Sequence, residues 1–117
     1  MNRERLLELE KAMLTLDERL WNPRFYVSGR LEGVGIVGDV AARCAEVWPE
    51  YWSIGLDGKR YTLMYLGEEP VLTCNVLMDF FELSFADVDK IFNIVEDKPT
   101  RTIGDAINDI WSVLYAK

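Results

Sequence analysis

Three glycines in the segment EGVGIVGDVAARC, residues 32 to 44, are spaced like the phosphate-binding turn of a dinucleotide-binding fold. Gly33, Gly35 and Gly38 form the pattern G-x-G-x-x-G, in which backbone amides and the start of the next helix hold a pyrophosphate. A helix is predicted after these glycines. Asp57 follows Gly33 by 24 residues, close to the position of a ribose-binding acid.

The residues before these glycines argue against nucleotide chemistry. The first strand of such a fold is buried on both faces and is continuously apolar, whereas residues 28–32 read Ser-Gly-Arg-Leu-Glu. Glu32 would also place a negative charge beside the pyrophosphate. We therefore predict that the protein binds no nucleotide cofactor, and that the glycines allow close packing of the backbone.

The absence of histidine limits the chemistry further, and the sequence has only two cysteines, Cys44 and Cys74. Histidine is the side chain most used for general acid–base catalysis near neutral pH and for activating nucleophiles. Two cysteines without histidine cannot supply the usual ligands of a structural zinc site. The composition therefore predicts no catalytic residues and no metal site, and it favours a protein that is not an enzyme.

Acidic residues give the chain a formal net charge of −7, and most of that charge falls in residues 61–117. The candidates for an acidic interaction surface are Asp79, Glu82, Asp87, Asp89, Asp105 and Asp109. Such a surface repels phosphate backbones and attracts basic partners, so we expect no direct nucleic-acid binding. It is either a solvated face with helix caps or a surface for a basic protein partner. An inhibitor that mimics nucleic acid is a variant of the second interpretation.

Aromatic residues cluster around a predicted β-hairpin in the middle of the chain. They are Trp48, Tyr51, Trp52, Tyr61 and Tyr65. These rings can wall a ligand pocket, or they can pack against one another across strands and in the core. We favour packing, and keep a small-molecule-binding protein or enzyme with an aromatic pocket as the alternative function.

Hydrophobic spacing and turn residues predict the elements that position these groups. Helices are predicted over residues 2–21, from residue 38 to 48, over 70–82, after Ser84 and after Thr102. A hairpin is predicted over 51–66 around an Asp57-Gly58 turn. The last two helices are expected to bury Phe85, Val95 and Trp111, among others. The predicted fold is a single compact α+β domain, mostly helical, with about five helices around one small β-hairpin.

The first predicted helix carries two apolar rows. One row is Leu6, Leu9, Met13, Leu16 and Leu20, and the other is Leu7, Leu14 and Trp21. One apolar stripe is enough to join a core, and an exposed ridge is uncommon on a soluble monomer. The second row is therefore either covered by the hairpin or the Phe25 segment, or it forms the contact of a two-fold homodimer. We favour the dimer.

The order of several short motifs resembles a group of short, uncharacterised bacterial and phage proteins. In that group an aromatic residue precedes a CGT…CIAG segment, followed by a tryptophan-containing loop, an LGLS…LF helix and a TP…A…I terminal helix. The corresponding residues here are Phe25, 36–38, Ala41, Trp48, 81–84, 91–92 and 102–107. The two cysteines of the family motif are missing, so no role of theirs carries over. The resemblance implies a mobile-element setting and no known activity.

The composition also bounds the location and the class of function. No apolar run approaches the about 18 residues that a membrane span needs, and the first residues mix charges with apolar side chains, unlike a secretory signal. We expect a cytoplasmic protein without membrane contact. The leading hypothesis is a small acidic interaction module that acts through protein–protein contacts.

Overall fold

The computed structural model describes residues 1–66, 74–95 and 98–116, except for the side chain of Asp57. Within these ranges the α-helices are α1 (Arg3–Leu14), α2 (Ala42–Val47), α3 (Cys74–Phe81), α4 (Phe85–Phe92) and α5 (Ile103–Leu114). The strands are β1 (Gly29–Leu31), β2 (Gly35–Val37), β3 (Trp52–Asp57) and β4 (Arg60–Tyr65). The predicted α+β fold, mostly helical and compact, is confirmed. The predicted helix start at Pro70 lies outside the described residues.

The first helix is shorter than predicted, because it ends at Leu14 and not at Trp21. The hydroxyl and the backbone N–H of Thr15 both donate to the carbonyl oxygen of Lys11, at 2.9 and 3.2 Å. These two bonds close the last turn of the helix, and a separate 3-10 turn follows. Trp21 therefore does not continue the row of Leu7 and Leu14 along α1.

The described residues form two antiparallel hairpins, whereas the sequence predicts one. β1 precedes the glycine-containing residues 32–44 and pairs with β2, which lies within them, with Gly29 opposite Val37. β3 pairs with β4, and Asp57 lies opposite Arg60, so the loop between them is residues 58–59. The predicted hairpin is confirmed, but its turn lies one residue further along the chain than Asp57-Gly58. Gly58 at the first loop position has a φ of +61°, which glycine adopts without steric cost.

The core lies where α1 packs against α2, α3 and α5. Its largest apolar side chains with full burial are Trp52, Phe81, Phe92, Leu6, Leu9, Met13 and Leu77. Three side chains predicted to be buried are instead exposed: Phe85, Val95 and Trp111. Phe85 is the first residue of α4, and Val95 follows Asn93, whose left-handed conformation ends that helix. Both side chains therefore lie beyond the apolar stripe of α4.

The helices predicted after Ser84 and after Thr102 both begin with a side-chain cap, a single hydrogen bond at Ser84 and a full capping box at Thr102. The Ser84 hydroxyl accepts a hydrogen bond from the backbone N–H of Asp87 at 3.3 Å, which caps α4. Thr102 and Asp105 form a complete capping box at the start of α5, because each side chain accepts from the backbone N–H of the other. These local contacts fix where the last two helices begin.

Candidate functional site

The glycines of residues 32–44 lie in the turn and second strand of the β1–β2 hairpin and at a close contact between two stretches of backbone. Gly33 lies in the hairpin turn with a φ of +74°. Gly38 touches the Tyr26 backbone so closely that a Cβ atom there would lie 2.2 Å from the carbonyl oxygen. These glycines therefore have conformational and packing roles in the fold, and the spacing G-x-G-x-x-G does not build the strand–turn–helix unit that dinucleotide binding uses.

Side chains of α2 hold the edge of β2. Arg43 donates from Nη2 to the carbonyl oxygen of Ile36, and Glu46 accepts from the Ile36 N–H at 3.2 Å. Arg43 and Glu46 are also paired, with Nη1 and Oε1 3.1 Å apart. Burial lowers the pKa of Arg43 from its ordinary value, with Glu46 and Asp39 opposing that effect. The pair satisfies both backbone groups of Ile36, as a neighbouring strand would.

Three charged side chains are buried in an interior for which the sequence pattern predicts apolar residues: Asp39, Arg43 and Arg101. Asp39 is 4 % exposed, and its Oδ1 accepts a hydrogen bond from the N–H of Ala41 at 2.9 Å. Burial raises the pKa of Asp39 to about 7, although that hydrogen bond and the charges of Arg101 and Arg43 favour the ionised form. The protein therefore contains a buried carboxyl group that changes its charge near neutral pH.

Arg101 connects α4, α5 and the segment that follows the 3-10 turn. Its Nη2 donates to the carbonyl oxygen of Ile91 at 2.8 Å and to the carboxylate of Asp109 at 3.0 Å. The carbonyl oxygen of Arg101 accepts a hydrogen bond from the Trp21 indole N–H at 2.9 Å. Trp21 is half-buried and hydrogen-bonded within the chain, so Leu7 and Leu14 are the members of the predicted second row that remain on the surface.

The six residues of the predicted acidic surface have two different roles. Those with partners inside the fold are Asp89, Asp105 and Asp109. Asp89 accepts from the Val95 N–H at 2.7 Å, Asp105 belongs to the capping box, and Asp109 pairs with Arg101. The Thr102 hydrogen bonds hold the pKa of Asp105 below its ordinary value. The remaining members have no side-chain hydrogen bond or ion pair to any described residue: Asp79, Glu82 and Asp87.

Most of the predicted aromatic residues surround Phe80 of α3. The distances between ring centroids are 5.0 Å for Trp48, 5.4 Å for Trp52, 5.8 Å for Tyr51 and 6.1 Å for Tyr65. Trp48, Trp52 and Phe80 are 5 %, 1 % and 3 % exposed, so these three rings are part of the core. Tyr61 lies apart, beside Gly29 of β1. The arrangement supports the packing interpretation of the cluster.

Large apolar side chains are exposed where α1 and α5 lie side by side. Leu7 and Leu14 are 37 % and 55 % exposed, and Trp111 and Tyr115 are 40 % and 53 % exposed. Glu10 lies between the two leucines on α1, and its carboxylate accepts hydrogen bonds from the Trp111 indole and the Tyr115 hydroxyl. We name Leu7, Leu14, Trp111 and Tyr115 the α1–α5 ridge.

The α5 side of this ridge is not among the residues predicted from the sequence. Trp111 and Tyr115 are four residues apart, which places them on one face of a helix. That spacing was available in the sequence, but the same face of α5 also continues toward the buried Ile110 and Leu114. Only the position of α1 decides which part of the face is covered.

No protein-family model, curated protein or solved structure matches this chain. None of the helices in the described residues has the length and apolar character needed to cross a membrane. Within the described ranges, no three cysteine or carboxylate side chains come together as metal ligands.

Proposed function

We propose that this protein is a non-enzymatic interaction module and that its contact surface is the α1–α5 ridge, which binds a second copy of the chain. The observation that carries the proposal is the exposure of four large apolar side chains around Glu10. Exposed apolar residues that occur singly need no explanation, whereas a contiguous group of them marks an interaction surface.

The ridge is held in place before any partner arrives. Glu10 binds Trp111 and Tyr115, and Arg3 lies over the Tyr115 ring, 5.5 Å from its centroid. Arg3 also donates to the carbonyl oxygen of Leu114 at 3.0 Å, which ties the first turn of α1 to the end of α5. A surface that is already ordered loses little conformational entropy when it binds.

Charge complementarity favours a second copy of the chain as the partner. Glu4 and Lys11 are exposed on α1 and flank Leu7, three residues before it and four after it. When two α1 helices cross antiparallel at Leu7, Glu4 of one protomer comes close to Lys11 of its partner, and this happens twice by symmetry. The two Leu7 side chains meet at the centre, and Leu14, Trp111 and Tyr115 extend the contact.

The acidic residues support this proposal less than the ridge does. Asp89, Asp105 and Asp109 have structural partners, and a carboxylate that caps a helix or binds an arginine offers less charge to a partner. Binding of a basic partner, and mimicry of nucleic acid, would depend on Asp79, Glu82 and Asp87. We therefore place self-association on the ridge and assign no separate function to the acidic residues.

Leu14→Glu is expected to convert the dimer to a monomer that is still folded. Sedimentation equilibrium of the wild-type protein should give twice the chain mass of 13.5 kDa at high concentration, with a dissociation constant in the micromolar range that is typical of a small interface. A carboxylate in the apolar contact leaves an unpaired charge there and should weaken association at least about a hundredfold.

Leu56→Glu is the matched control for this experiment. Leu56 is 62 % exposed, which is similar to Leu14, but it lies on β3 of the β3–β4 hairpin and not on α1 or α5. This variant should keep the dimeric mass, and both variants should keep the circular dichroism spectrum of the wild type. A monomeric wild type at high concentration, or equal weakening by the two substitutions, would contradict self-association through the ridge.

A further inference from the structure

We propose that the cavity between the residues preceding β1 and the β3–β4 turn binds a small aromatic carboxylate. The cavity has a volume of about 360 Å³ and is lined by Phe25, Val27, Ser28, Lys59, Arg60 and Tyr61. It lies away from the α1–α5 ridge and does not depend on self-association. Its volume is at the small end of the range for ligand pockets, which suits a ligand of one or two rings and not a dinucleotide.

The apolar lining indicates the aromatic part of the ligand. Phe25 is 57 % exposed although it is a large apolar residue, and Val27, which also lines the cavity, is buried. The half-buried Tyr61 lies close to Gly29 of β1, which brings the two hairpins together at this point. A planar ring placed between the rings of Phe25 and Tyr61 would cover the apolar surface that Phe25 presents to water.

The cations at the mouth of the cavity indicate the anionic part. Lys59 and Arg60 are exposed, and neither side chain has a hydrogen bond or an ion pair to any described residue. Asp57 ends β3 just before them, so residues 57–60 carry a formal charge of +1. That excess suits a group with one negative charge, such as a carboxylate, better than a doubly charged phosphate. Arg60 also offers a carboxylate two parallel N–H donors.

The wall formed by Phe25 is fixed by backbone hydrogen bonds. The carbonyl oxygen of Phe25 accepts from the N–H of Asp39 at 3.0 Å, and the N–H of Ser28 donates to the carbonyl oxygen of Val37 at 2.8 Å. The segment therefore runs along β2 and its continuation, and Phe25 faces solvent on a supported backbone. A site with a pre-formed wall binds without first ordering a loop.

Calorimetric titration with 2-naphthoate tests the proposal directly. We expect one saturable site per chain with a Kd of about 1 mM, the affinity that a small ligand of this size reaches. The neutral amide, 2-naphthamide, has the same shape without the charge and should bind about tenfold more weakly. Phe25→Ala should weaken naphthoate binding about tenfold, and Arg60→Gln about threefold.

Lys90→Gln is the control for the loss of one exposed positive charge, because Lys90 lies on α4. It should leave the Kd for naphthoate unchanged, and so should Leu14→Glu, which alters only the ridge. Phe25→Ala should keep the oligomeric mass of the wild type, so failure here is distinguishable from failure of the dimer. Three results would each overturn the proposal: no heat at 10 mM naphthoate, equal binding of acid and amide, or binding abolished only by Leu14→Glu.

Discussion

Asp39→Asn is expected to stabilise the protein relative to the wild type at alkaline pH, and to do so progressively less as the pH is lowered to 4. The difference in free energy of unfolding between Asp39→Asn and the wild type should change by about 4 kcal/mol between pH 4 and pH 8. The side chain is buried, and the asparagine oxygen keeps the acceptor that the Ala41 N–H needs. Urea unfolding of both proteins across this pH range measures the difference directly.

The direction follows from where Asp39 holds its proton. An aspartate in the unfolded chain has a pKa near 3.8, and burial raises the pKa of Asp39 in the folded state to about 7. Between these values the folded protein keeps a proton that the unfolded chain has lost, so wild-type stability falls as the pH rises. The charges of Arg43 and Arg101 reduce this effect but do not cancel it. Asparagine does not titrate, so this loss of stability with rising pH is absent in Asp39→Asn.

Asp105→Asn provides a control of opposite sign. The Thr102 hydrogen bonds lower the pKa of Asp105, so its contribution to stability is present at neutral pH and is lost as the pH falls. Asp105→Asn should therefore destabilise the protein at pH 7 and have little effect in acid. If the free energies of unfolding of the wild type and Asp39→Asn changed with pH in parallel, burial would not raise the pKa of Asp39 and the prediction would be wrong.

Gly38→Ala is expected to lower the free energy of unfolding by about 3 kcal/mol, the upper part of the range for overpacked sites. The added Cβ would lie 2.2 Å from the Tyr26 carbonyl oxygen and 2.8 Å from the Cβ of Ala42. The backbone cannot move aside easily. The N–H of Gly38 donates to the Leu20 carbonyl, and its own carbonyl accepts from the N–H of Asn22, both at 2.9 Å.

Gly104→Ala is the matched substitution at a site with space. Gly104 is exposed in the first turn of α5, and the nearest atom to an added Cβ is Thr102 Oγ1 at 3.7 Å. Alanine has the higher helix propensity, so this variant should gain about 0.5 to 1 kcal/mol. Similar small effects of the two substitutions in thermal unfolding would mean that Gly38 is not at a close backbone contact.

Local sequence signals predicted much of the fold, because the forces behind them act within a few residues. Ser84 and Thr102 cap helices with their own side chains, so the pattern that contains them predicts where α4 and α5 begin. The hairpin of β3 and β4 depends in the same way on strand-forming residues around Gly58. These features do not require knowledge of the rest of the chain.

Features that depend on distant partners were not predictable in this way. Trp111 has the spacing of a core residue, and it stays exposed because α1 covers only part of that face, with Glu10 binding its indole from 101 residues away. Asp39 and Arg43 become interior residues only once β2 and α2 are packed together. Neither periodicity nor composition contains that information.

The two candidate sites differ in the same way in how far the sequence predicts them. The leucines of the ridge were predictable, since Leu7 and Leu14 are one heptad apart on a helix that needs only one apolar row for the core. The cavity beside Phe25 was not predictable, because it joins residues 25–28 to residues 59–61 through the contact between Gly29 and Tyr61. Such a site requires the relative placement of two hairpins.

Disulfide formation by Leu7→Cys, in a Cys74→Ser background, tests self-association through the ridge most directly. The remaining cysteine, Cys44, is fully buried and should not react. An antiparallel crossing at Leu7 brings the Cα atoms of the two new cysteines within about 7 Å of each other, the separation that a disulfide allows. We predict rapid formation of a covalent dimer by Leu7→Cys under mild oxidation, and little by Leu56→Cys at the same concentration. Equal, slow cross-linking of the two variants would contradict the two-fold contact at Leu7.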